Sequence, residues 1–572
     1  PTQAKAAEVH THCVCGGSAD GIGDHACTQT ATWQPWDGTD SLLDGGCYYL
    51  NDTDDDGVIT LPKTLVIEKK NVSLCLNGVE LTCEGRTINV NGVKSGTNYL
   101  PASLNICDCQ GSGSITSTST AVAPVLHSYT SNRGEATINL YSGHLIAKDK
   151  DAAVDCEAGV LRLGNNTGDP GSASHHKATF RMYGGSISGG MTKKTGGNVY
   201  ISTDCAFYLY GGRVEGGQAT GNGGNFFVSG LLDLQGGTVT GGSANQGGGI
   251  YVHSKGTLTV GGTVQVKDNK VSNVYLPTGK LLTAQKLTSA NVGVTSVNAV
   301  FAQADSAEAA GSFYCDQTGY TVAYGEGQLS RIASPKITML SIKPSVVGIG
   351  YKAQFTVPEN LRSHVKYGFD LWLDGYPVHT YVSQKALEDT TQLSLRLRNI
   401  MTADNDLRKN LENGDTDVLA RAYILLDDGR RLESGVEAYD LRKMLETVDT
   451  FYPTFTDEQT EALQSMYTDY KCTNTPAGRD LVKEYVEAFR AEGLRVGFYY
   501  SLIDWHHPDY QIDIFHPRRA EPWAEEANKT RDMGRYKDYL HNQVRELLTN
   551  YGKIDILWYD VSWPMESWEG WD

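Results

Sequence analysis

The sequence predicts a multidomain chain: a right-handed parallel β-helix, then a β-sandwich, then part of a TIM-type α/β barrel. Three observations carry that expectation. A repeat built on paired glycines fills the first half, alternating strands with tight turns follow it, and the C-terminal stretch twice runs helix, glycine, strand and polar loop. At 572 residues the chain is longer than one hydrophobic core organises.

The repeat comes first. "YGGSISGG", "YGGRVEGG", "QGGTVTGG" and "VGGTVQV" place their leading Gly-Gly at 184, 211, 236 and 261, at spacings of 27, 25 and 25. A second series, "GGNVYIS" from Gly196, "GGNFFVS" from Gly223 and "GGGIYVH" from Gly247, runs out of phase with it. Two short strands with glycine corners cannot bury their own apolar face, so successive coils must stack. The β-helix is expected over residues 45–334, behind a leader at 1–44 that contains Cys and His. In "VSLCLNG" and "LNICDC" the thiols of Cys75 and Cys107 sit in apolar patterns, where Cys is a small core filler.

From Ile337 onward the pattern alternates, in "YKAQFTV", "GFDLWLDGYPVHTYV" and "VLARAYILLDDGRRLES", with hairpin signals at Asp374-Gly375 and Asp428-Gly429. This predicts a β-sandwich over 335–448. Thr456 and Gln459 form a capping box that opens a helical linker over 449–471.

Over 472–572 the spacing predicts two helix–strand units. Leu481, Val482, Tyr485, Val486 and Phe489 share one stripe that stops at Gly493, ahead of the strand "LRVGFYYS". Tyr536, Tyr539, Leu540, Val544 and Leu547 share another that stops at Gly552, ahead of "IDILWY". In a parallel α/β barrel the chemistry sits at the C-terminal ends of the strands. Those ends carry Asp560 and the cluster "YYSLIDWHHPDY". Aromatic rings beside carboxylates and histidines suit a sugar, whose C–H face stacks on Trp or Tyr while its hydroxyls hydrogen-bond. The candidate sugar-contacting residues are Tyr500, Tyr499, Asp504, Trp505, His506, His507 and Trp563, around Asp560.

Charge and apolar content bound the partners. The 67 acidic against 49 basic residues give a net charge of -18, which argues against phosphate backbones and anionic membranes as partners. No apolar run reaches the roughly 18 residues of a membrane helix, so no membrane insertion is expected. Glycine, Thr, Ser and Asn richness with repeats points to an extracellular or cell-surface protein, and the start at Pro1 reads as a mature secreted form or a fragment.

The motifs then bring resemblances. "GFYYSLIDWHHPDYQIDIFHPRR", "RYKDYLHNQVRELLTNYGKIDILWYDVSWP" and "NTPAGRDLVKEYVEAFRAEGLRVG" resemble the catalytic barrel of family 29 α-L-fucosidases. The resemblance implies a retaining double displacement on a fucosylated glycan, with Asp560 as nucleophile, Tyr500 or else Tyr499 in the sugar pocket, and no cofactor. Two departures accompany it. The family's "HHDGF" segment, whose histidines bind fucose, is absent ahead of Gly478, and the region of the general acid is not reached. The expectation is therefore a truncated or fused fucosidase of weak or no activity, joined near Tyr470. The alternative is a non-enzymatic β-helical surface adhesin or glycan-binding protein with a passenger barrel fragment. For that alternative, "HTHCVCG", "CLNG" and "ICDC" make the N-terminal half similar to β-helical surface proteins of anaerobic gut bacteria.

Several residues keep two readings. Asp560 is a nucleophile or a strand-end acid capping a loop, and Asp504 is a second carboxylate or a group bonded to its own loop. His506 and His507 are read as loop-packing or sugar-rim residues rather than metal ligands, and no metal is assigned at this site. His10, His12, Cys13, Cys15, His25 and Cys27 supply enough soft ligands for zinc but match no tight finger spacing, so a Cys pair or free thiols compete with it. "DTDDDG" at Asp52 to Gly57 begins like a calcium loop, yet Lys63 stands where a bidentate Glu belongs; an acid-rich turn is the reading. Asp149, Asp151, Asp155 and Glu157 read as a solvated acidic face.

Overall fold

The computed structural model describes residues 10–17, 21, 25, 30–95, 97–117, 124–128, 134–148, 153, 155–165, 169–171, 175–343, 348–373, 376–398, 418–439, 480–505, 507–512, 516, 519–520 and 523–560. The chain divides into two compact units, Pro1–Ile332 and Ala333–Asp572.

The first unit is built from two large sheets that are parallel almost throughout. In one, Ala102–Cys107, Glu135–Leu140, Lys177–Met182, Ala206–Leu209 and Leu231–Leu234 pair successively in parallel, each with its equivalent one repeat on. Phe180, Phe207 and Leu232 consequently stand in register, and all three are fully buried. The other sheet collects most of the remaining repeat strands, while Met191–Thr192 and Gln218–Ala219 pair in a small sheet of their own. Ser186–Ser188, Arg213–Glu215 and Thr238–Thr240 form one ladder, and Val199–Ile201, Phe226–Val228, Ile250–Val252 and Val274–Leu276 form another. Fully burying each of the aligned apolar side chains contributes about 1.5–3 kcal/mol, and the repeat stacks them into one continuous cluster.

The sequence signatures have direct causes. Gly185 has φ +75°, and a Cβ there would lie 2.1 Å from the Gly143 carbonyl oxygen, while one at Gly184 would lie 2.4 Å from that of Tyr141. The corner therefore demands both glycines of the doublet. In the "GGN" series, Asn198 and Asn225 are wholly buried. Asn198 Nδ2 donates to Asn225 Oδ1 at 2.8 Å, and Asn225 Nδ2 donates to Asn269 Oδ1 at 3.1 Å. Each Oδ1 also accepts a corner amide, from Gly190, Gly217 and Gly242 respectively. The third repeat has Gly249 at the equivalent place, and Asn269 supplies the missing amide.

The second unit contains two antiparallel sheets. Lys336–Lys343, Gly348–Phe355 and Thr391–Arg398 form one. Tyr376–Val382, Val365–Leu373, Val418–Leu426, Arg431–Glu433 and Glu437–Tyr439 form the other. At the Asp428-Gly429 turn, Gly429 takes φ +85° and donates its N–H to Leu426 O at 3.0 Å. Asp374 and Gly375, and the capping box Thr456 and Gln459, lie outside the described residues.

Among the described residues three α-helices follow: α1 (Leu481–Ala491), α2 (Ala524–Asn528) and α3 (Met533–Thr549). Asp480 caps α1 by accepting from Lys483 N, and Asp532 caps α3 by accepting from Gly534 N. Gly493 and Gly552, at φ +71° and +67°, end the two helical stretches as expected. The stripe on α1 is narrower than its spacing predicts. Val486 is buried beside Val496 and Tyr551, with Val482 and Tyr485 against them, but Leu481 and Phe489 are exposed. Helix α2, of five residues, is too short to carry a periodic stripe.

Candidate functional site

Strands Gly497–Ser501 and Ile556–Asp560 pair in parallel, with Tyr499 opposite Trp558, Tyr500 opposite Tyr559 and Ser501 opposite Asp560. Strand alternation splits the aromatics between two faces. Phe498 packs with Val486 of α1 and Tyr551, and Tyr500 packs with Tyr536 and Leu540 of α3, so the helices cover this face. The opposite face is open: Tyr499 is 64% exposed, Trp558 65% and Ile556 58%. The two adjacent tyrosines therefore have different surroundings, which the string "YYS" does not distinguish.

Tyr500 is tied to α3. Its hydroxyl donates to Gln543 Oε1 at 2.6 Å, and Gln543 Nε2 donates to the Tyr539 hydroxyl at 2.6 Å. Burial, then the nearby phenols of Tyr539 and Tyr536, push the Tyr500 pKa well above the usual phenol range, so it acts as a neutral donor. The Tyr536 hydroxyl donates to Leu502 O at 2.8 Å and accepts the Asp504 amide at 2.7 Å, which fixes the loop leaving the first strand. In that loop His507 N donates to Asp504 O at 3.1 Å, and the Asp509 amide donates to His507 Nδ1 at 3.1 Å. The His507 ring lies 4.2 Å from that of Tyr539, and burial lowers its pKa. Arg535 Nη2 holds Asp509 at 2.7 Å. Trp505 is 42% exposed, and its carbonyl accepts from His516 Nε2 at 3.1 Å.

Of the residues singled out in the sequence, Tyr499, Tyr500, Asp504, Trp505 and His507 thus fall on one strand end and the loop after it. Asp560 is placed by its backbone at the end of the second strand. His506 and Trp563 lie outside the described residues. Sequence reasoning passed over Trp558, two positions before Asp560 and in register with Tyr499, although the strand alternation marks it. It also passed over Asp538 in α3, which is buried with Oδ1 unpartnered and whose pKa burial raises to about 7.

The N-terminal cysteines and histidines assemble differently from the expected grouping. His10 and His12 meet Cys75 and Cys109, and the four ligand atoms lie within 4.8 Å of one another, the one such grouping among the described residues. Cys15 is instead buried in an apolar cluster with Trp33 and Tyr49, and Cys13 packs against that cluster. His25 lies over Tyr141 at 4.7 Å, and Cys27 lies outside the described residues. Beside the grouping, Cys107 is fully buried as expected, and its hydrogen bond draws the Cys75 thiol pKa down. The "DTDDDG" carboxylates are spent within their own turn: Asp52 accepts from Asp54 N and Gly57 N, and Asp56 from Val58 N. Of the second acidic patch, Glu157 pairs with Arg162 at 3.1 Å, and Asp149 and Asp151 lie outside the described residues.

Comparison with known proteins bears on the C-terminal stretch. The α-L-fucosidase family model matches residues 457–572. Among solved structures, α-L-fucosidase isoenzyme 1 from Paenibacillus thiaminolyticus is 59% identical, over 18% of this chain and 25% of its own, with a TM-score of 0.17. The chain spans a quarter of that enzyme's length. No curated protein matches the sequence.

Proposed function

We propose that the C-terminal segment performs retaining hydrolysis of α-L-fucosides in fucosylated glycans, with Asp560 as the nucleophile. One observation carries the reading: within the matched segment, Asp560 ends a strand paired in parallel with Gly497–Ser501, the placement a barrel gives its catalytic groups. The Asp560 carboxylate attacks the anomeric carbon and breaks its bond to the aglycone oxygen, which leaves with the bonding pair and takes a proton from solvent water. Water then cleaves the glycosyl ester, and two inversions leave the configuration retained. Tyr499 and Trp558, side by side on the open face, offer rings for the sugar's C–H face, and Trp505 and His507 stand on the loop beside that strand end.

We assign this segment weak hydrolysis, because the "HHDGF" histidines that the resemblance places ahead of Gly478 are not found there. The first unit is read as a right-handed β-helix whose sheets are the walls of one solenoid, and the antiparallel sheets over 335–448 as a sandwich, the whole acting outside the cell or at its surface. The test is release of aryl aglycone from an aryl α-L-fucoside by the full chain. Release that disappears in Asp560→Ala supports the reading, and equal release by both proteins contradicts it.

A second reading, a glycan-binding solenoid without catalysis, draws on the first unit. Tyr200, Phe227, Tyr251 and Tyr275 stack along one ladder with centroids 5.3, 5.3 and 5.6 Å apart and near-parallel rings. Glycan affinity electrophoresis of Tyr251→Ala tests it: retardation of the parent chain that the variant loses favours binding by this stripe.

A further inference from the structure

We propose that His10, His12, Cys75 and Cys109 form a zinc site that fastens the N-terminal leader to the parallel sheet. The four ligands come from two pieces of chain. His10 and His12 flank the start of the short leader strand Thr11–Cys13, which pairs with Thr30–Thr32. Cys75 ends the strand Asn71–Cys75, and Cys109 lies two residues beyond the neighbouring strand Ala102–Cys107. Parallel pairing sets Cys75 beside Cys107 and so brings Cys109 to the same end of the sheet.

All four donor atoms lie within 4.8 Å of one another, and three of the separations can be set against the edges of a zinc tetrahedron. Zinc bonds of about 2.0–2.1 Å to N and about 2.3 Å to S give edges of about 3.3 Å for N···N, 3.6 Å for N···S and 3.8 Å for S···S. Here His10 Nε2 to His12 Nε2 is 2.8 Å, His10 Nε2 to Cys109 Sγ is 3.6 Å, and Cys75 Sγ to Cys109 Sγ is 3.6 Å. The N···S and S···S separations lie within about 0.2 Å of those edges, and the two imidazole nitrogens lie about half an ångström closer than theirs.

The surroundings orient the ligands as structural zinc requires. His12 Nδ1 lies 2.6 Å from Cys13 O, and since a carbonyl only accepts, Nδ1 carries the proton and Nε2 turns its lone pair toward His10 and the thiols. The His10 ring stacks on Tyr49 at 4.5 Å and 18°, and the His12 ring lies 4.5 Å from that of Trp33. Trp33 in turn donates its backbone N–H to His10 O at 3.0 Å and its Nε1 to His12 O at 3.1 Å. The two rings stand edge to face, at 75°, with Nε2 toward Nε2; as neutral imidazoles they would share a single proton there, whereas a cation accepts both lone pairs. Four protein ligands leave no open position, so the role is structural. Binding releases the thiol protons as the two sulfurs become thiolates.

The experiment uses the full chain purified under reducing conditions, with metal content measured and cobalt(II) substituted for zinc. The expected result is about one zinc per chain, with the strong visible bands of tetrahedral cobalt and a thiolate-to-cobalt charge-transfer band. Cys109→Ser, at an exposed position, is expected to keep the parent circular dichroism while retained zinc falls below about a tenth of an equivalent. His25→Ala is expected to keep its zinc. A reduced, folded parent chain that takes up neither zinc nor cobalt overturns the proposal. So does unchanged zinc in Cys109→Ser, or a metal-free native protein whose peptide map shows a Cys75–Cys109 disulfide.

Discussion

Asp560 ends its strand directly opposite Ser501, one register step beyond the Tyr500 and Tyr559 pair. If that strand end is a nucleophilic centre, removing the carboxylate removes the chemistry and little else. Asp560→Ala is expected to lower kcat/KM for an aryl α-L-fucoside by about 10³-fold or more, about 4 kcal/mol of transition-state stabilisation. The thermal midpoint should stay within a degree or two of the parent, and steady-state kinetics beside a melting curve check both.

The buried amide chain of the first unit makes a separate prediction. Asn225 accepts from Asn198 and from Gly217 N, and donates to Thr240 O and Asn269. Asn225→Ala leaves several of these groups buried without partners and is expected to destabilise the unit by about 3 kcal/mol or more. Urea unfolding followed by circular dichroism measures it. Asn245→Ala, whose amide reaches only Thr220 O at an exposed corner, is expected to cost well under half as much.

Glycine at the repeat corner is tested by Gly185→Ala. The new Cβ meets the Gly143 carbonyl oxygen and the backbone keeps φ +75°, so both clash and conformation oppose it. A loss of about 2 kcal/mol or more in the same unfolding assay is expected. Gly17→Ala, also at positive φ but with open space around it, separates the conformational part from the clash.

Asp538 makes stability depend on pH. Burial raises its pKa from 3.8 to about 7 in the folded chain, so folding favours the protonated form. The sign follows from linkage: the contribution is fully present below the unfolded pKa of 3.8 and is lost as pH rises through about 7. Asp538→Asn, which never ionises, should therefore unfold like the parent near pH 4 and be the more stable protein at pH 8. The difference is at most about 4 kcal/mol. Melting curves at the two pH values decide it, and a gap that narrows toward pH 8 contradicts the assignment.

Much of this architecture was legible in particular residues. The Gly-Gly doublets announced the corners because no Cβ fits at Gly184 or Gly185, whereas the burial of Asn198 and Asn225 in the "GGN" series is a finding of the structure. Gly493 and Gly552 marked both helix ends, because each takes a positive φ. What stayed hidden depends on pairing between distant segments. Cys75 and Cys109 join His10 and His12 only through the registers of two strands and a leader fold, and no local spacing records that. The unequal environments of Tyr499 and Tyr500 are set by where α3 packs, and the exposure of Leu481 and Phe489 by how narrow a cluster covers α1.

The central claim, nucleophilic catalysis by Asp560, is tested most directly by incubating the full chain with 2-deoxy-2-fluoro-α-L-fucosyl fluoride and mapping the product by peptide mass spectrometry. The fluorine slows hydrolysis of the glycosyl ester, so a retaining nucleophile stays labelled. The account predicts a fluorofucosyl adduct on the peptide containing Asp560 and none in Asp560→Ala. Turnover of fucoside by a folded chain whose label sits on another carboxylate, or that is never labelled, would contradict it.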